Sequence, residues 1–419
     1  MKFYLKTALK VVPLIFVFSL LFSSCSSDDD GGGDAIPSNI IQINAGENAA
    51  DEAQLVFIEV ESGQIIQFSS GTFTFTNTLS MDNKDTIIIR GAGRDKTILD
   101  FSSQTAGGDG VLVTNSDNIR FENLTVRDAA GDGLKAKECT TISFVNVGVV
   151  WSGEPNENNG AYGLYPVQCS EVFIDNCYAY GASDAGIYVG QSNRVILKNS
   201  VAEGNVAGIE IENTTNADVF DNEAFDNTGG ILVFDLPGLS QYGSATRVFN
   251  NHSHDNNRTN FAPAGNIVAN VPAGTGSMIL STKNVEIFDN TFTNNNFAGI
   301  LVANYLLVNS NITDPGFDPF PADVKIHGNT YDAMGAVNTD QPPLILQLIG
   351  VLKLYMLDQP NILIDGLINS PTDLCIIEAA GTSFVNLNAG DQTFASVSTD
   401  ITPYNCSPAP LPAVSFDEY

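Results

Sequence analysis

The stretch Ala185 to Ser200, AGIYVGQSNRVILKNS, starts on a Gly-Ile pair and closes on Val-x-Leu-x-Asn, and both elements return along the chain. The glycine of the first element recurs at Gly110, Gly133, Gly163, Gly186, Gly208, Gly230 and Gly299, with most neighbours 22 or 23 residues apart. The second element, two apolar residues at alternate positions and then Asn or Asp, ends at Asn123, Asn146, Asn176, Asn199, Asp221, Asn250 and Asp289. Its step widens to 30 before Asn176, 29 before Asn250 and 39 before Asp289, each time by a polar or Pro/Gly-rich insertion after which the register resumes.

Short alternating runs at such a period, punctuated by Gly and Asn, are the signature of stacked coils. Ile187, Val189, Ile209 and Ile211 share one parity and face one side of a strand; Val172, Ile174, Val195 and Leu197 do so on a second strand, and Leu124 and Val126 on a third. Each coil reads as three short strands around an apolar interior. One coil cannot bury that interior alone, so stacking has to do it. The Asn column supplies tight-turn backbone and amides that bond from coil to coil. The stretch is therefore scaffold: a site would not recur in every coil.

The pattern resembles the right-handed parallel β-helix superfamily that includes pectate lyases, polygalacturonases and alginate epimerases. The run 48–75, NAADEAQLVFIEVESGQIIQFSSGTFTF, fits an amphipathic helix capping the open end of the core and then a first coil, and IIIRGAGRDKTILDFS (87–102) is similar to that superfamily's early coils. The segments GDGLKAKECTTISFVNV, GGILVFDLPG, FAGILVAN, PNILIDGLI and YNCSPAPLPAV look like a family of exported bacterial β-helix repeat proteins, many of them lipoproteins, whose resemblance implies a fold and a location but no reaction.

The first 25 residues, MKFYLKTALKVVPLIFVFSLLFSSC, carry three lysines, an apolar run from Val11 to Phe22 and small residues before Cys25. A membrane span needs about 20 apolar residues; this run is shorter and reads as a secretory signal, cleaved before Cys25, which is then lipidated. SSDDDGGGD follows, a Gly- and Asp-rich tether that resembles the surface-export signal of Bacteroidetes-type lipoproteins. The expected location is the outer membrane, lipid-anchored and facing outwards. The expected organisation is a signal peptide over 1–24, a tether over 25–45, an all-β parallel β-helix over 46–370 and a C-terminal capping segment over 371–419.

Removing residues 1–24 takes away three lysines and moves the formal charge from −30 to −33. Such a chain repels nucleic acid and anionic membranes, and repels acidic polysaccharide unless a basic patch or bound Ca2+ intervenes. Among six cysteines, Cys139 and Cys169 fall in a small-residue column with Ser116, Ser192, Thr215 and Ser244, and read as a ladder rather than a disulfide. Cys375 and Cys406 flank the C-terminal segment and are expected to be bridged in an oxidising compartment. No haem-attachment motif or Cys/His zinc spacing occurs, so nothing here binds haem covalently; no cofactor is certain, and Ca2+ is possible.

In a solenoid, function lives on outward columns and insertions. The column two residues after the glycine reads Leu112, Lys135, Tyr165, Tyr188, Glu210, Leu232, with Lys137 and Glu212 beside it. Aromatic faces stack on sugar rings, and nearby polar groups pair with hydroxyls. Lys135, Lys137 and Arg127 together suggest a uronate-binding patch, with Tyr165, Tyr188 and Glu210 completing the ligand surface.

A second constellation holds two of the three histidines: His252 and His254 point to one side, with Glu223 beside His252 one coil earlier and Glu203 further along the neighbouring column. This is an acid/base candidate. The insertions from Asp235, Arg258 and Asn304 leave consecutive coils and could wall a groove. Asp109 and Asp132, each just before a repeat glycine, stack as paired carboxylates that would raise one pKa or hold Ca2+.

The paired aspartates and Gly-His-Gly of polygalacturonases are absent, and the Asp-Pro-His of alginate epimerases is missing because Asp314-Pro315 precedes Gly316 and Asp318-Pro319 precedes Phe320. The first expectation is a surface lipoprotein that binds polysaccharide, with divergent lyase or epimerase chemistry open. The second is a non-enzymatic scaffold docking another exported protein.

Overall fold

The computed structural model describes residues 39–416 apart from 310, 333–334, 356, 358, 392–393 and 408. The signal peptide, Cys25 and most of the tether lie outside the described residues. No helix among the described residues is long and apolar enough to cross a membrane.

The coil begun by the quoted stretch comprises Ala185–Gly190, Asn193–Lys198 and Val201–Glu203. The first belongs to a sheet of eleven described strands and the other two to a sheet of twenty. Each pairs in parallel with its counterpart in the next coil: Ile187 opposite Ile209, Val195 opposite Ala217, Ala202 opposite Ala224. These inward residues are fully buried, and burying each Ile or Val side chain is worth roughly 1.5–3 kcal/mol before chain entropy is counted. The molecule is a parallel β-helix with one continuous apolar interior.

The repeat glycines are there because coils approach too closely for a side chain. A Cβ on Gly208 would lie 2.7 Å from the Gly230 carbonyl oxygen of the next coil. The series also runs through the coil Thr275–Leu280 as Gly276, where a Cβ would lie 2.5 Å from the Gly299 carbonyl oxygen; the Gly-Ile pair hides it because the inward position is Ser277, whose buried hydroxyl donates to the Ile231 carbonyl at 2.8 Å.

The Asn column works through backbone more than amides. Asn123, Asn146, Asn176, Asn199, Asp221, Asn250 and Asp289 all adopt φ between 51° and 59°, a left-handed turn that Asn and Asp tolerate best after Gly. Asn146 does bond Asn123 at 2.8 Å. The buried amide ladder, however, runs one residue later through Asn222, Asn251, Asn290 and Asn329, at 2.9–3.0 Å per rung. A second ladder joins Asn205, Asn227, Asn256 and Asn295.

The helix Ala49–Glu59 lays Ala49, Ala53 and Phe57 over the open end of the core. Its last carbonyls are met by the Lys84 ammonium, 2.6 Å from Ile58 O and 3.0 Å from Val60 O. The strand Ile40–Ile43 already pairs with Ile65–Phe68, so the tether ends before the expected residue 45; the alternating IIQI buries Ile43 and finds backbone partners. Stacking also passes the expected limit at 370: Leu374–Ile377 pairs with Ala322–His327, and Phe384–Asn386 with Ile362–Ile364.

Beyond these strands Tyr404 closes the core against Phe384, its hydroxyl accepting from Asn386 at 2.7 Å. Cys375 and Cys406 are joined, and Cys139, Cys169 and Cys177 are buried free thiols. The Cys139/Cys169 column continues through Ser192 into Thr214, whose hydroxyl accepts from the Ser192 amide, rather than into Thr215. After Cys406 the tail runs back along the twenty-stranded sheet, accepting from Lys325 at Ala409 O (2.6 Å) and donating from Val414 N to Asp218 (3.1 Å).

Candidate active site

The outward column of the eleven-stranded sheet changes character along its length. Leu112, Lys135 and Tyr165 are half-buried, whereas Tyr188 is 3 %, Glu210 1 % and Leu232 0 % exposed. The later coils are roofed by the insertions and by the helix Pro343–Leu354, whose Ile345, Leu348, Ile349 and Leu352 pack into a second apolar cluster with Leu232, Met278, Leu301 and Leu363. The expectation of an exposed strand face is thus corrected for Tyr188 and Glu210, because the insertions fold back over that sheet.

A cleft of about 370 Å³ lies where the roof begins. Its floor carries Asp184, Glu210 and Glu212, with Tyr162 at its edge. All three expected insertions contribute walls: Leu236 and Pro237 from the first, Asn266 and Val268 from the second, Tyr305 from the third. None of the lining residues is Lys or Arg.

Each carboxyl is placed by a local feature. Gly190 has no side chain, so the Tyr188 ring lies across its position; a Cβ there would be 2.3 Å from that ring. The Tyr188 hydroxyl thereby reaches Glu212 Oε1 at 2.7 Å. Asp184 Oδ2 accepts from Asn266 Nδ2 at 3.0 Å and from the Tyr162 hydroxyl at 3.4 Å. Glu210 Oε2 is buried without a hydrogen-bond partner among the described residues.

Burial dominates the electrostatics. It pushes Asp184 up to about 7, with the Glu212 charge adding to it. Burial likewise brings Glu212 to about 7 against the Tyr188 hydrogen bond, and holds Glu210 well above the carboxylate range, reinforced by Asp184 and Glu212. Asp235 at the cleft margin is raised to about 6 by burial. Carboxyl groups that keep their protons near neutrality beside one that can ionise form a proton-donating and proton-accepting set.

The expected basic patch does not assemble. Arg127 lies on the other sheet and pairs with Asp100 at 3.0 Å, and Lys137 pairs with Glu138 at 3.2 Å. Lys135 sits 3.0 Å from Asp132 and 3.8 Å from Asp109, over the Tyr165 ring at 4.5 Å. Each of these three cations pairs with a carboxylate of its own. The same lysine sets its ammonium beside Asp109 and Asp132, the pair expected to raise one pKa or hold Ca2+, and burial raises Asp109.

His252, His254 and Glu223 lie on the twenty-stranded sheet, away from the strands that floor the cleft. Glu223 is in register with His252 but reaches His254, Oε1 to Nε2 at 3.0 Å. Glu203 follows in the column of Phe225 and His254, yet its carboxylate accepts from the Tyr178 hydroxyl at 2.8 Å; this corrects its place in an acid/base group.

Sequence reading missed Asp184, Tyr162, Asn266, Tyr305 and the roofing helix. Tyr162 was open to discovery, since it precedes Gly163 just as Asp109 and Asp132 precede their glycines. Asp184 and Asn266 carried no signal, because only the fold of an irregular insertion brings them together.

A family model described as "right handed beta helix region" matches residues 156–312. No curated protein matches the chain. Among solved structures, the A-module of mannuronan C-5 epimerase AlgE6 from Azotobacter vinelandii is similar with a TM-score of 0.50 and 14% identity, covering 80% of this chain and 89% of that one. The AlgE4 A-module of the same organism gives 0.48 and 15%, with 78% and 88% covered. An alginate lyase from Paenibacillus sp. gives 0.36 and 15%, with 71% and 99% covered. The likeness to the AlgE6 A-module bears on the fold alone.

Proposed function

We propose that this chain, a right-handed parallel β-helix of the pectin-lyase-like type, acts on a polysaccharide in the cleft formed by Asp184, Glu210 and Glu212. The observation that carries the reading is the gathering of three carboxyl groups in one cleft, Asp184 and Glu210 buried and Glu212 half-buried, without a cation among its lining residues. Buried carboxyls cost stability unless paired, and an arrangement that raises several pKa values together is what acid/base chemistry needs.

The chemistry fits hydrolysis of a neutral glycan better than elimination or epimerisation of a uronate. A uronate would bring its own charge into a cleft that has no ammonium or guanidinium to meet it. In hydrolysis one protonated carboxyl gives its proton to the departing glycosidic oxygen, and an ionised neighbour takes a proton from the attacking water or attacks the sugar carbon itself. Tyr165, half-buried in the adjoining coil, offers a ring face to the next sugar. The roof closes the cleft toward the later coils, so the glycan enters from the side of Lys135 and Tyr165.

The N-terminal signal and Cys25 support a lipid-anchored protein on the outer membrane's outer face, where such a substrate is met before import. The docking-scaffold reading is the weaker one, since the Pro-rich insertions expected to contact a partner wall the cleft instead.

The test is a screen of residues 26–419 against neutral glucans, mannans and xylans beside pectate and alginate, following new reducing ends and unsaturated products together. Reducing ends without unsaturation, lost in Asp184→Asn/Glu212→Gln, are the expected result. Unsaturated products would replace hydrolysis by elimination, and silence on every glycan would sink the reading.

A further inference from the structure

We propose that Glu223, His252 and His254 bind a divalent transition-metal ion of the zinc class, on a face of the β-helix separate from the cleft. Ligand atoms from these three residues lie within 4.8 Å of one another. The group sits on rigid backbone. His252 and His254 are two apart on the strand His252–His254, so both side chains leave the same face, and Glu223 comes from the parallel strand of the preceding coil. Ser253 between them points inward, fully buried, and donates to the Gly276 carbonyl at 2.7 Å.

The outer contacts are those of a metal-ligating imidazole. His254 Nδ1 faces Asp255 Oδ2 at 2.8 Å, and Asp255 is itself held by the side-chain amide of Asn294. A carboxylate on Nδ1 fixes the tautomer with its proton there and turns the Nε2 lone pair outward. His254 Nε2 faces Glu223 Oε1 at 3.0 Å. A contact of this length is held together by a proton or by a metal ion on Nε2, and in tetrahedral zinc sites neighbouring nitrogen and oxygen ligands are about 3.3–3.6 Å apart, given bonds of about 2.0–2.2 Å.

The His252 ring lies 4.0 Å from that of His254 and is exposed, which places a third donor beside the pair and leaves a fourth position to water. Two imidazoles and one carboxylate select zinc, cobalt or nickel rather than Ca2+, which takes six to eight oxygens. Phe225 stacks on His254 at 5.2 Å and limits its rotation.

The experiment is calorimetric titration of ZnCl2 into the full chain after chelator treatment, with CoCl2 followed by its visible absorption. One ion per chain is expected, with affinity reduced tenfold or more in His252→Ala and in Glu223→Gln, and about 10–100-fold in Asp255→Asn. His252→Ala is the decisive variant, since that ring is exposed and its loss leaves the fold intact; equal melting temperatures in chelator check this. Absence of binding overturns the proposal. Binding unchanged in His252→Ala/His254→Ala overturns it too, because the ion would then sit elsewhere.

Discussion

The two sheets treat buried carboxylates in opposite ways. On the twenty-stranded sheet Glu122 meets Arg90 and Arg120 at 2.5 and 2.6 Å, Asp218 meets Arg247 at 2.8 Å and Glu286 meets His327 at 3.1 Å. On the eleven-stranded sheet Asp184, Glu210 and Glu212 share one cleft with tyrosine hydroxyls and an amide, and Glu210 keeps an oxygen unpartnered among the described residues. The same coils present both columns, so stacking alone does not explain the contrast. A paired column is what a scaffold does with charge; an unpaired one is a cost maintained for chemistry.

The largest expected effect strikes the unpaired side. Asp184→Asn/Glu212→Gln should lower turnover by about 10²–10⁴-fold, the usual share of acid/base groups, with the melting temperature unchanged or raised because two buried ionisable groups become neutral. Retained turnover would break the contrast at once. On the paired side, Arg247→Ala leaves Asp218 buried with the Val414 amide as its remaining donor, and should destabilise the protein by about 3–5 kcal/mol. Adding Asp218→Asn should recover much of that loss in chemical denaturation. A cost near zero for the single change would mean that the pair is ornamental.

The two sides also give opposite pH slopes. Asp184 and Glu212 titrate near 7 in the fold against 3.8 and 4.5 when unperturbed, so between about pH 4 and 7 the unfolded chain ionises first and stability falls as pH rises. At Glu122, burial pushes upward but is outweighed by Arg120 and Arg90, leaving the carboxyl below its ordinary value. Its contribution is present above about pH 4.5 and is lost as pH falls through the folded value. Urea midpoints from pH 4 to 8 should therefore decline toward 7 in the wild-type protein and flatten in Asp184→Asn/Glu212→Gln. A parallel decline in both would assign the slope to other groups.

The fold was legible because each coil repeats its own reasons. Gly208 and its counterparts admit the neighbouring backbone, and Asn199 and its counterparts take the left-handed turn. The column holding Tyr165, Tyr188 and Glu210 followed from register alone. What register could not say is which part of that column is roofed. The insertions from Asp235, Arg258 and Asn304 have no period, and whether they fold over one sheet or lie against another depends on packing within the insertions themselves, as of Phe317 on Tyr305. Parity also misled at Glu223, where the register neighbour is His252 but the longer side chain crosses to His254.

The smallest effect tests the border between the two regimes. Lys135 stands in the same column as Glu210, yet it joins Asp109 and Asp132 to the paired kind of site, with 22 % of its side chain exposed. In Lys135→Met the two aspartates lose their cation, and Asp109, already raised by burial, should hold its proton more firmly. Solvent reaches this place, so the stability loss should be about 1 kcal/mol or less. It should grow as pH rises above the ordinary aspartate value, because the unfolded chain ionises before Asp109 does. Calcium sharpens the comparison: the wild-type melting temperature should ignore it, since the ammonium is the resident charge. A calcium-dependent rise in the wild-type protein would show instead that Asp109 and Asp132 belong to an ion, and that the border lies one coil nearer the N-terminal helix.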